Sequence, residues 1–217
     1  ASPLGSVVVE SRHVDKPRLR VVDVDAGTST LHPTPDDWVW TSLAYAPDGR
    51  RLVATVGDGR VQTFPATCDG PIEVLGSHDG VPLSGAFDPT GRRLVSGGAD
   101  RRGVLFELDG ARRRGEFLHQ QEVSGTAWSA DGARIATWAG ERMLRIFDAS
   151  NLGLVREVPA LDLEERASLR FVEGGAKVEA IDASSRHVWF TAHDETLDVL
   201  RGHRTSAEGN PFPYVYD

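Results

Sequence analysis

The chain has 217 residues, 40% of them hydrophobic, and a formal net charge of -8 at pH 7. Nucleic-acid binding depends on clustered Lys and Arg that neutralise phosphates, so we do not expect this acidic chain to bind nucleic acid. The sequence contains no run of about 18 apolar residues, the length needed to cross a membrane. Its single cysteine, Cys68, excludes an internal disulfide. We therefore expect a cytoplasmic chain that Gly and Pro divide into short strands and turns.

A segment of 23 residues recurs three times, at 42–64, 84–106 and 125–147. Each copy holds an apolar run, a turn of the Pro-x-Gly type, a second run, a turn with an acid, and a third run. The turn positions lie 44, 42 and 41 residues apart, in the order Pro3, Pro47, Pro89 and Ala130. A degenerate copy follows at 169–190, where residues 173–175 take the turn. A period of about 40 to 45 residues is that of a four-stranded propeller blade.

Each repeat is expected to contain four strands, a to d, because short alternating or β-branched runs lie between turn residues. In the first repeat we predict strands at 42–45, 51–55, 60–64 and 72–75, and in the second at 83–87, 93–96, 103–106 and 115–118. The third repeat has 123–128, 134–137, 143–147 and 154–158, and the fourth has 168–172, 177–181, 187–190 and 196–200. The repeats thus span approximately 42–75, 83–118, 123–158 and 168–200.

The two ends of the chain predict a shared blade. The chain opens at residues 2–5, where a turn between strands a and b belongs, and closes at residues 214–217, which read as the end of a strand a. Residues 211–217 would supply strand a, and residues 6–31 would supply b, c and d, with 19–23 as c. We therefore predict an all-β fold, a β-propeller of five four-stranded antiparallel blades, forming one domain over 1–217. The closed ring predicts a monomer, since closure removes unpaired strand edges.

Two alternatives to the closed ring stay open at this point. The chain could be a fragment of a larger ring, or a partial ring that another chain completes. The chain begins at Ala1 without a methionine, so we expect a trimmed or excised portion of a longer protein.

The repeats resemble the WD-repeat β-propeller family over nearly the whole chain. The resemblance rests on Gly76-Ser77-His78 and Gly202-His203 before strand a, and on an acid six residues before the aromatic residue of strand c. Those pairs are Asp58 with Phe64, Asp100 with Phe106, and Glu141 with Phe147. The chain departs from the family pattern because Phe replaces the signature Trp.

The resemblance implies a structural role for the residues at these fixed positions. In the family the His, a Ser or Thr of strand b and the turn acid form a hydrogen-bonded network inside a blade, and buried polar groups need such partners. The residues given this role are Asp58, Phe64, His78, Ser96, Asp100, Phe106, His119, Thr137, Glu141, Phe147 and His203, with Thr55 as the strand b residue of the first repeat.

No catalytic, metal or cofactor motif is found. The sequence lacks G-x-S-x-G, H-E-x-x-H, C-x-x-C and a phosphate loop, and Asp23-Val24-Asp25 lacks the further ligands of a calcium loop. We therefore predict no catalytic residue, no metal and no cofactor. The alternative is a propeller hydrolase or lactonase, in which acids and His from strand a converge on the central channel.

The loops in which the repeats differ are the candidates for partner binding. The loop over 32–41 is four residues longer than its equivalents, and the segment 203–214 would lie beside it in a closed ring. In the family the d–a and b–c loops share one face, which would also hold the b–c turn with Arg101 and Arg102. The candidates are Asp36, Asp37, Trp38, Trp40, Arg101, Arg102, Arg204, Phe212 and Tyr214. The competing interpretation is that the tryptophans pack between blades and the arginines are merely solvated.

The predicted function is a non-catalytic scaffold or sensor that binds a protein or peptide through loops on one face of the propeller. Its arginine-rich, degenerate repeats resemble propeller portions of bacterial multidomain proteins, which implies a bacterial source and a sensor role.

Overall fold

The computed structural model describes residues 7–12, 18–23, 27–33, 40–67, 70–159, 167–181 and 186–190. Within them lie eighteen strands and one short 3-10 turn at Glu173–Gly175. The first seven strands are β1 Val7–Arg12, β2 Arg18–Asp23, β3 Thr28–Pro33, β4 Trp40–Tyr45, β5 Arg51–Val56, β6 Arg60–Pro65 and β7 Glu73–Ser77. The next eight are β8 Pro82–Phe87, β9 Arg93–Gly98, β10 Arg102–Glu107, β11 Arg112–Leu118, β12 Val123–Trp128, β13 Arg134–Ala139, β14 Met143–Asp148 and β15 Leu154–Pro159. The last three are β16 Ser168–Val172, β17 Lys177–Ile181 and β18 Arg186–Phe190.

The strands form five antiparallel sheets in which neighbours in sequence are neighbours in space. The sheets are β1-β2-β3, β4-β5-β6-β7, β8-β9-β10-β11, β12-β13-β14-β15 and β16-β17-β18. This is the predicted all-β fold of four-stranded blades, and it is confirmed for the three central repeats. The number of blades and the closure of the ring stay predictions, because residues 196–200 and 211–217 lie outside the described residues.

Each sheet follows the repeat of the sequence closely. The twelve predicted strands of the central repeats all appear, and their bounds differ from the predicted ones by three residues at most. The glycine of each Pro-x-Gly type turn has a positive φ, with Gly49 at 68°, Gly91 at 69° and Gly132 at 68°. Glycine reaches this region at little cost, so the turn residues that punctuate the sequence also set where strand a reverses into strand b.

Successive sheets pack against each other along their first strands. β4 contacts β8, β8 contacts β12, and β12 contacts β16. We call the region between two neighbouring sheets a seam and number the seams in chain order, starting between β4–β7 and β8–β11. The first seam buries Val53, Val61, Leu75, Leu94, Val104 and Phe106. The second seam buries Val95, Leu105, Phe117, Trp128, Ile135 and Phe147. The third seam buries Trp138, Leu144, Ile146, Val158, Val178 and Ala180. The apolar core therefore lies between sheets, as the alternation of side chains along each strand requires.

A set of polar contacts links β8–β11 to β12–β15 at the second seam, on the side of the a–b turns. The Arg93 Nε donates to Asp88 Oδ2 at 3.0 Å, and its Nη2 donates to the carbonyl of Gly132 at 2.8 Å. The guanidinium also lies 4.5 Å from the ring centre of Trp128, whose Nε1 donates to the Ala86 carbonyl at 3.1 Å. One arginine thus links two sheets by hydrogen bonds and by a cation–π contact.

The last described sheet differs from the others at one cross-strand pair. The register places Ala44 opposite Val53, Ala86 opposite Val95 and Ala127 opposite Ala136. The corresponding pair in the last sheet is Arg170 and Glu179, which form an ion pair. The Glu179 side chain is fully buried, whereas that of Arg170 is 60% exposed. The face of this sheet that points away from β12–β15 is therefore polar where the other sheets are apolar.

None of the helical segments in the described part of the chain is long and apolar enough to cross a membrane. The cytoplasmic location stays a prediction.

Candidate partner-binding face

The loop between the second and third sheets is hydrogen-bonded to turns of both. The His78 backbone N–H donates to the Gly59 carbonyl at 2.9 Å, which ties the start of the loop to the b–c turn of its own sheet. The Asp79 backbone N–H donates to Asp100 Oδ2 at 3.1 Å, which ties it to the b–c turn of the next sheet. The d–a loop and the b–c turns therefore lie on one side of the molecule.

The next loop repeats this arrangement. The His119 N–H donates to the Arg101 carbonyl at 2.9 Å, and the Gln121 N–H donates to Glu141 Oε2 at 2.8 Å. We call the resulting band of residues 57–60, 77–81, 99–102, 119–122 and 140–142 the loop belt. Because each segment is hydrogen-bonded to the next one along the chain, the backbone of the belt is held in a fixed arrangement.

The His78 side chain anchors the belt in the third sheet. Its Nδ1 lies 2.9 Å from Asp100 Oδ1, and its Nε2 lies 2.7 Å from Ser96 Oγ. A carboxylate can only accept, so Nδ1 donates to Asp100 and Nε2 accepts from the Ser96 hydroxyl. Asp100 also accepts from the Arg102 backbone N–H at 3.2 Å. The imidazole is buried, and its contacts join the loop to strand b and to the b–c turn.

The His119 side chain occupies the same place in the fourth sheet, with one addition. Its Nε2 lies 3.1 Å from Thr137 Oγ1, and its Nδ1 lies 3.1 Å from Glu141 Oε1. Arg145 reaches in from strand c, with Nη1 at 2.9 Å from His119 Nδ1 and 2.7 Å from Glu141 Oε1. The register places Arg145 opposite Thr137, where the third sheet has Val104 opposite Ser96.

This arrangement shifts the pKa of both ionisable partners. Burial lowers the pKa of His119, and the nearby charge of Arg145 acts in the same direction. Burial alone would raise the pKa of Glu141, but its hydrogen bonds with His119 and the Gln121 backbone, together with Arg145, hold the pKa below its ordinary value. The folded state therefore favours a neutral imidazole beside an ionised carboxylate.

The fourth sheet is expected to lose stability in acid. A lowered folded-state pKa means that the contribution of His119 is present above its unfolded pKa, about 6.5, and is lost as pH falls through the folded value. Glu141 adds a loss in the same direction below its own unfolded pKa. Urea unfolding at pH 7.5 and 5.5 should show a larger drop in the unfolding free energy for the wild type than for His119→Asn. Equal drops in the two proteins would contradict this assignment.

The hydrogen bonds of the second sheet differ from the predicted network, in which Thr55 is the strand b residue and Asp58 is the turn acid. The register places Ala54 at the position of Ser96 and Thr137, so Thr55 is not the equivalent residue. The Thr55 hydroxyl bonds instead to that of Thr41 at 2.7 Å. Asp58 accepts from the Arg60 backbone N–H at 3.0 Å and from Arg60 Nε at 2.6 Å, and the Arg60 hydrogen bond holds its pKa below the usual range.

The three aromatic residues of strand c are buried. Phe106 lies in the first seam and Phe147 in the second, where its ring stacks on Phe117 with centres 4.5 Å apart. Phe64 packs with Leu52 and Ala54 on the opposite face of the second sheet.

The predicted partner-binding residues fall into three groups. Arg101 is exposed on the belt, and Arg102 is half-buried and bonded to Glu116 Oε2 at 3.1 Å. Trp40 is half-buried in β4 and lies 5.9 Å, centre to centre, from the ring of Phe64. The remaining predicted residues lie outside the described residues: Asp36, Asp37, Trp38, Arg204, Phe212 and Tyr214, together with His203 of the structural set.

The structure adds three residues, on the belt or next to it, that the sequence interpretation missed. Asp79 has an 83% exposed side chain next to buried His78, and Leu118, at the end of β11, is 66% exposed. Arg145 is the third addition. An alignment of strand c across the repeats could have found it, because the equivalent positions hold Gln62 in the second sheet and Val104 in the third.

In the part of the chain that the structure describes, no three His, Cys, Asp or Glu side chains are grouped so that they could hold a metal ion. Whether the chain has an enzymatic activity stays open.

Comparison with known proteins finds a WD repeat in the chain and relatives that contain such repeats. The model of the WD domain, G-beta repeat, matches residues 70–106, which cover strand d of the second sheet and strands a to c of the third. The chain is 26% identical over 186 residues to meiotic fizzy-related protein 2 of Schizosaccharomyces pombe, a match that covers 82% of this chain and 35% of that protein. Together with the repeated four-stranded sheets, these matches support the resemblance of the chain to the WD-repeat family.

Two further relatives agree with this family. Cell division cycle 20.1, cofactor of APC complex, from Arabidopsis thaliana is 29% identical over 116 residues, covering 51% of this chain and 24% of that protein. WD repeat and SOCS box-containing protein 1 from Takifugu rubripes is 31% identical over 94 residues, covering 42% and 22%. The chain thus spans about a third of the first relative and about a quarter of the second. All three organisms are eukaryotes, so the bacterial source stays a prediction.

Proposed function

We propose that this chain is a non-catalytic interaction module that binds a protein or peptide through the loop belt. The observation that carries the proposal is the hydrogen-bonded continuity of the belt, from Gly59 through His78 and Asp100 to Arg101 and His119. A rigid surface binds with a smaller entropic cost than a mobile loop, because its side chains are already ordered.

The composition of the belt fits protein recognition. Exposed Asp79, Arg101, Glu122 and Arg142 give both charges, and Leu118 adds an apolar surface at its border. Mixed charge with apolar area is typical of protein interfaces, in which arginine is enriched. One relative is described as a cofactor of a complex, which agrees with a role in assembly.

The finer parts of the proposal concern residues beyond the belt. Asp36, Asp37 and Trp38 with Arg204, Phe212 and Tyr214 would extend the binding surface if five blades close into a ring. Trp40 contributes less, because its ring packs against Phe64. A monomeric, cytoplasmic sensor is the form of the module that we propose.

The binding face can be tested by blocking one face at a time. In a Cys68→Ser background, a bulky maleimide would be attached to Gln120→Cys on the belt or to Ala130→Cys in an a–b turn, both at exposed positions. Peptides enriched from a random dodecapeptide display library on the immobilised chain would then be titrated by fluorescence anisotropy. We expect the label at position 120 to abolish binding and the label at position 130 to leave it unchanged.

Two results would count against the proposal. If no peptide is enriched over an unrelated immobilised protein, the chain is not a peptide-binding module. If the label at position 130 blocks binding and the label at position 120 does not, the binding face is the opposite one.

A further inference from the structure

The tip of the b–c turn has the same unusual backbone in three successive sheets. Gly59, Arg101 and Arg142 occupy equivalent positions, with φ of 104°, 66° and 60°. This left-handed region suits glycine, whereas a side chain there is strained. Gly59 therefore shows what the turn itself requires, and the arginine at position 101 is not needed to form it.

The charge of Arg101 is left uncompensated within the described part of the chain. Its backbone makes two hydrogen bonds, to Gly98 and from His119, but its exposed guanidinium has no ion pair there. The neighbouring Arg102, by contrast, pairs with Glu116 at 3.1 Å and with Asp79 at 3.9 Å. Arg113 also pairs with Glu116, so Arg101 is the one of these three arginines that has no ion pair in the described residues.

An exposed apolar side chain lies on the strand that leads into the backbone contact with Arg101. Leu118 is in register with Arg102, and the next residue, His119, donates its backbone N–H to the Arg101 carbonyl. Leu118 is 66% exposed, more than any other large hydrophobic side chain in the described residues. Because His119 is buried and bonded to Thr137 and Glu141, the backbone that carries Leu118 is held in place at its C-terminal end.

We propose that Arg101 and Leu118 form a binding hot spot for a peptide segment that places a carboxylate next to a large apolar side chain. The guanidinium would pair with the carboxylate in the bidentate geometry that arginine offers, and Leu118 would cover the apolar side chain. Charge complementarity selects this occupant, since Arg101 is an exposed cation without an ion pair in the described residues. The inference rests on the proposed function, because it names the class of peptide that binds the same belt.

The test uses variants that each remove one exposed side chain. Arg101→Gly removes the charge at a φ that glycine adopts readily, so the fold is retained. Arg92→Ala is the control, because it removes an exposed arginine from the a–b turn of the same sheet, outside the belt. Leu118→Ser removes the apolar side chain at an exposed position. The probes are dodecapeptides enriched by display on the wild-type chain, each with one partner peptide in which Asp and Glu become Lys and another in which the apolar residue becomes Ser.

We expect the enriched peptides to carry Asp or Glu beside Leu, Ile or Phe. Fluorescence anisotropy should show at least a tenfold weaker Kd for Arg101→Gly and for Leu118→Ser, with less than a twofold change for Arg92→Ala. Both altered peptides should bind the wild-type chain at least tenfold more weakly than their parents. Circular dichroism and the urea midpoint would establish that the variants are folded.

Other outcomes separate the two proposals. Enriched peptides that bind Arg101→Gly and Leu118→Ser as tightly as the wild type would overturn the hot spot and leave the interaction module standing. The absence of any enriched peptide would overturn both. A wild-type dimer in sedimentation that Leu118→Ser dissociates would assign the patch to a second copy of the chain and also overturn the hot spot.

Discussion

Replacing Asp100 by alanine is expected to lower the free energy of unfolding by roughly 2–4 kcal/mol. The carboxylate accepts hydrogen bonds from the His78 imidazole, the Asp79 backbone and the Arg102 backbone at 2.9, 3.1 and 3.2 Å. Its loss leaves the buried Nδ1–H of His78 without an acceptor, and a buried polar group without a partner is strongly unfavourable. Urea denaturation followed by circular dichroism measures the change.

The adjacent Asp79 provides a matched control. It has the same side chain and lies in the same region, but it is 83% exposed and its nearest cation, Arg102, is 3.9 Å away. Exposed ion pairs contribute little, so Asp79→Ala should change the unfolding free energy by about 0.5 kcal/mol or less. If both variants unfold at the same urea concentration, the network around His78 does not stabilise the fold.

Replacing Trp138 by alanine should cost about 3–5 kcal/mol, the range found when a buried aromatic side chain is truncated. Trp138 is fully buried in the third seam, with Leu144 and Ile146 of its own sheet and Val178 and Ala180 of the next. The substitution would leave a cavity between two sheets, so it also measures how firmly the degenerate fourth repeat is attached. Urea unfolding and hydrogen exchange in β17 report the two effects.

Leu154→Ala is the control for Trp138→Ala. Leu154 is a large apolar residue of the same sheet, but it is mostly exposed at the outer strand, and its truncation should be nearly neutral. If Trp138→Ala is also neutral, or if it leaves exchange in β17 unchanged, the third seam is not a cooperative part of the core.

Most of the fold could be predicted because its information is local and repeated. The glycines and prolines at each turn, with short apolar runs between them, set the strand bounds, and three copies allow an error in one to be corrected from the others. The turn at residues 173–175 was placed correctly even in the degenerate repeat. The sequence gives weaker evidence for the closure of the ring than for the strands, because closure depends on the few residues at the two ends of the chain.

The belt was predictable only in part. The spacing that relates His78 to Ser96 and Asp100 recurs from His119 to Thr137 and Glu141, and the hydrogen bonds between these side chains follow it. The choice of Thr55 was wrong by one residue, because the register places Ala54 at the position of Ser96 and Thr137. The spacing from Pro89 to Ser96 and from Ala130 to Thr137 is seven residues, and the same spacing from Pro47 leads to Ala54. One residue is enough to move a side chain to the other face of a strand.

The sequence by itself determined the period, the four strands of each central repeat and the residues that close the turns, because these depend on nearby residues and on alternation. Only the tertiary structure decided which charges are neutralised. It turned Arg145 inward to His119, paired Arg102 with Glu116 and left Arg101 exposed. The partners of a charged side chain are set by the packing of residues distant in sequence, so they emerge only when the sheets are assembled.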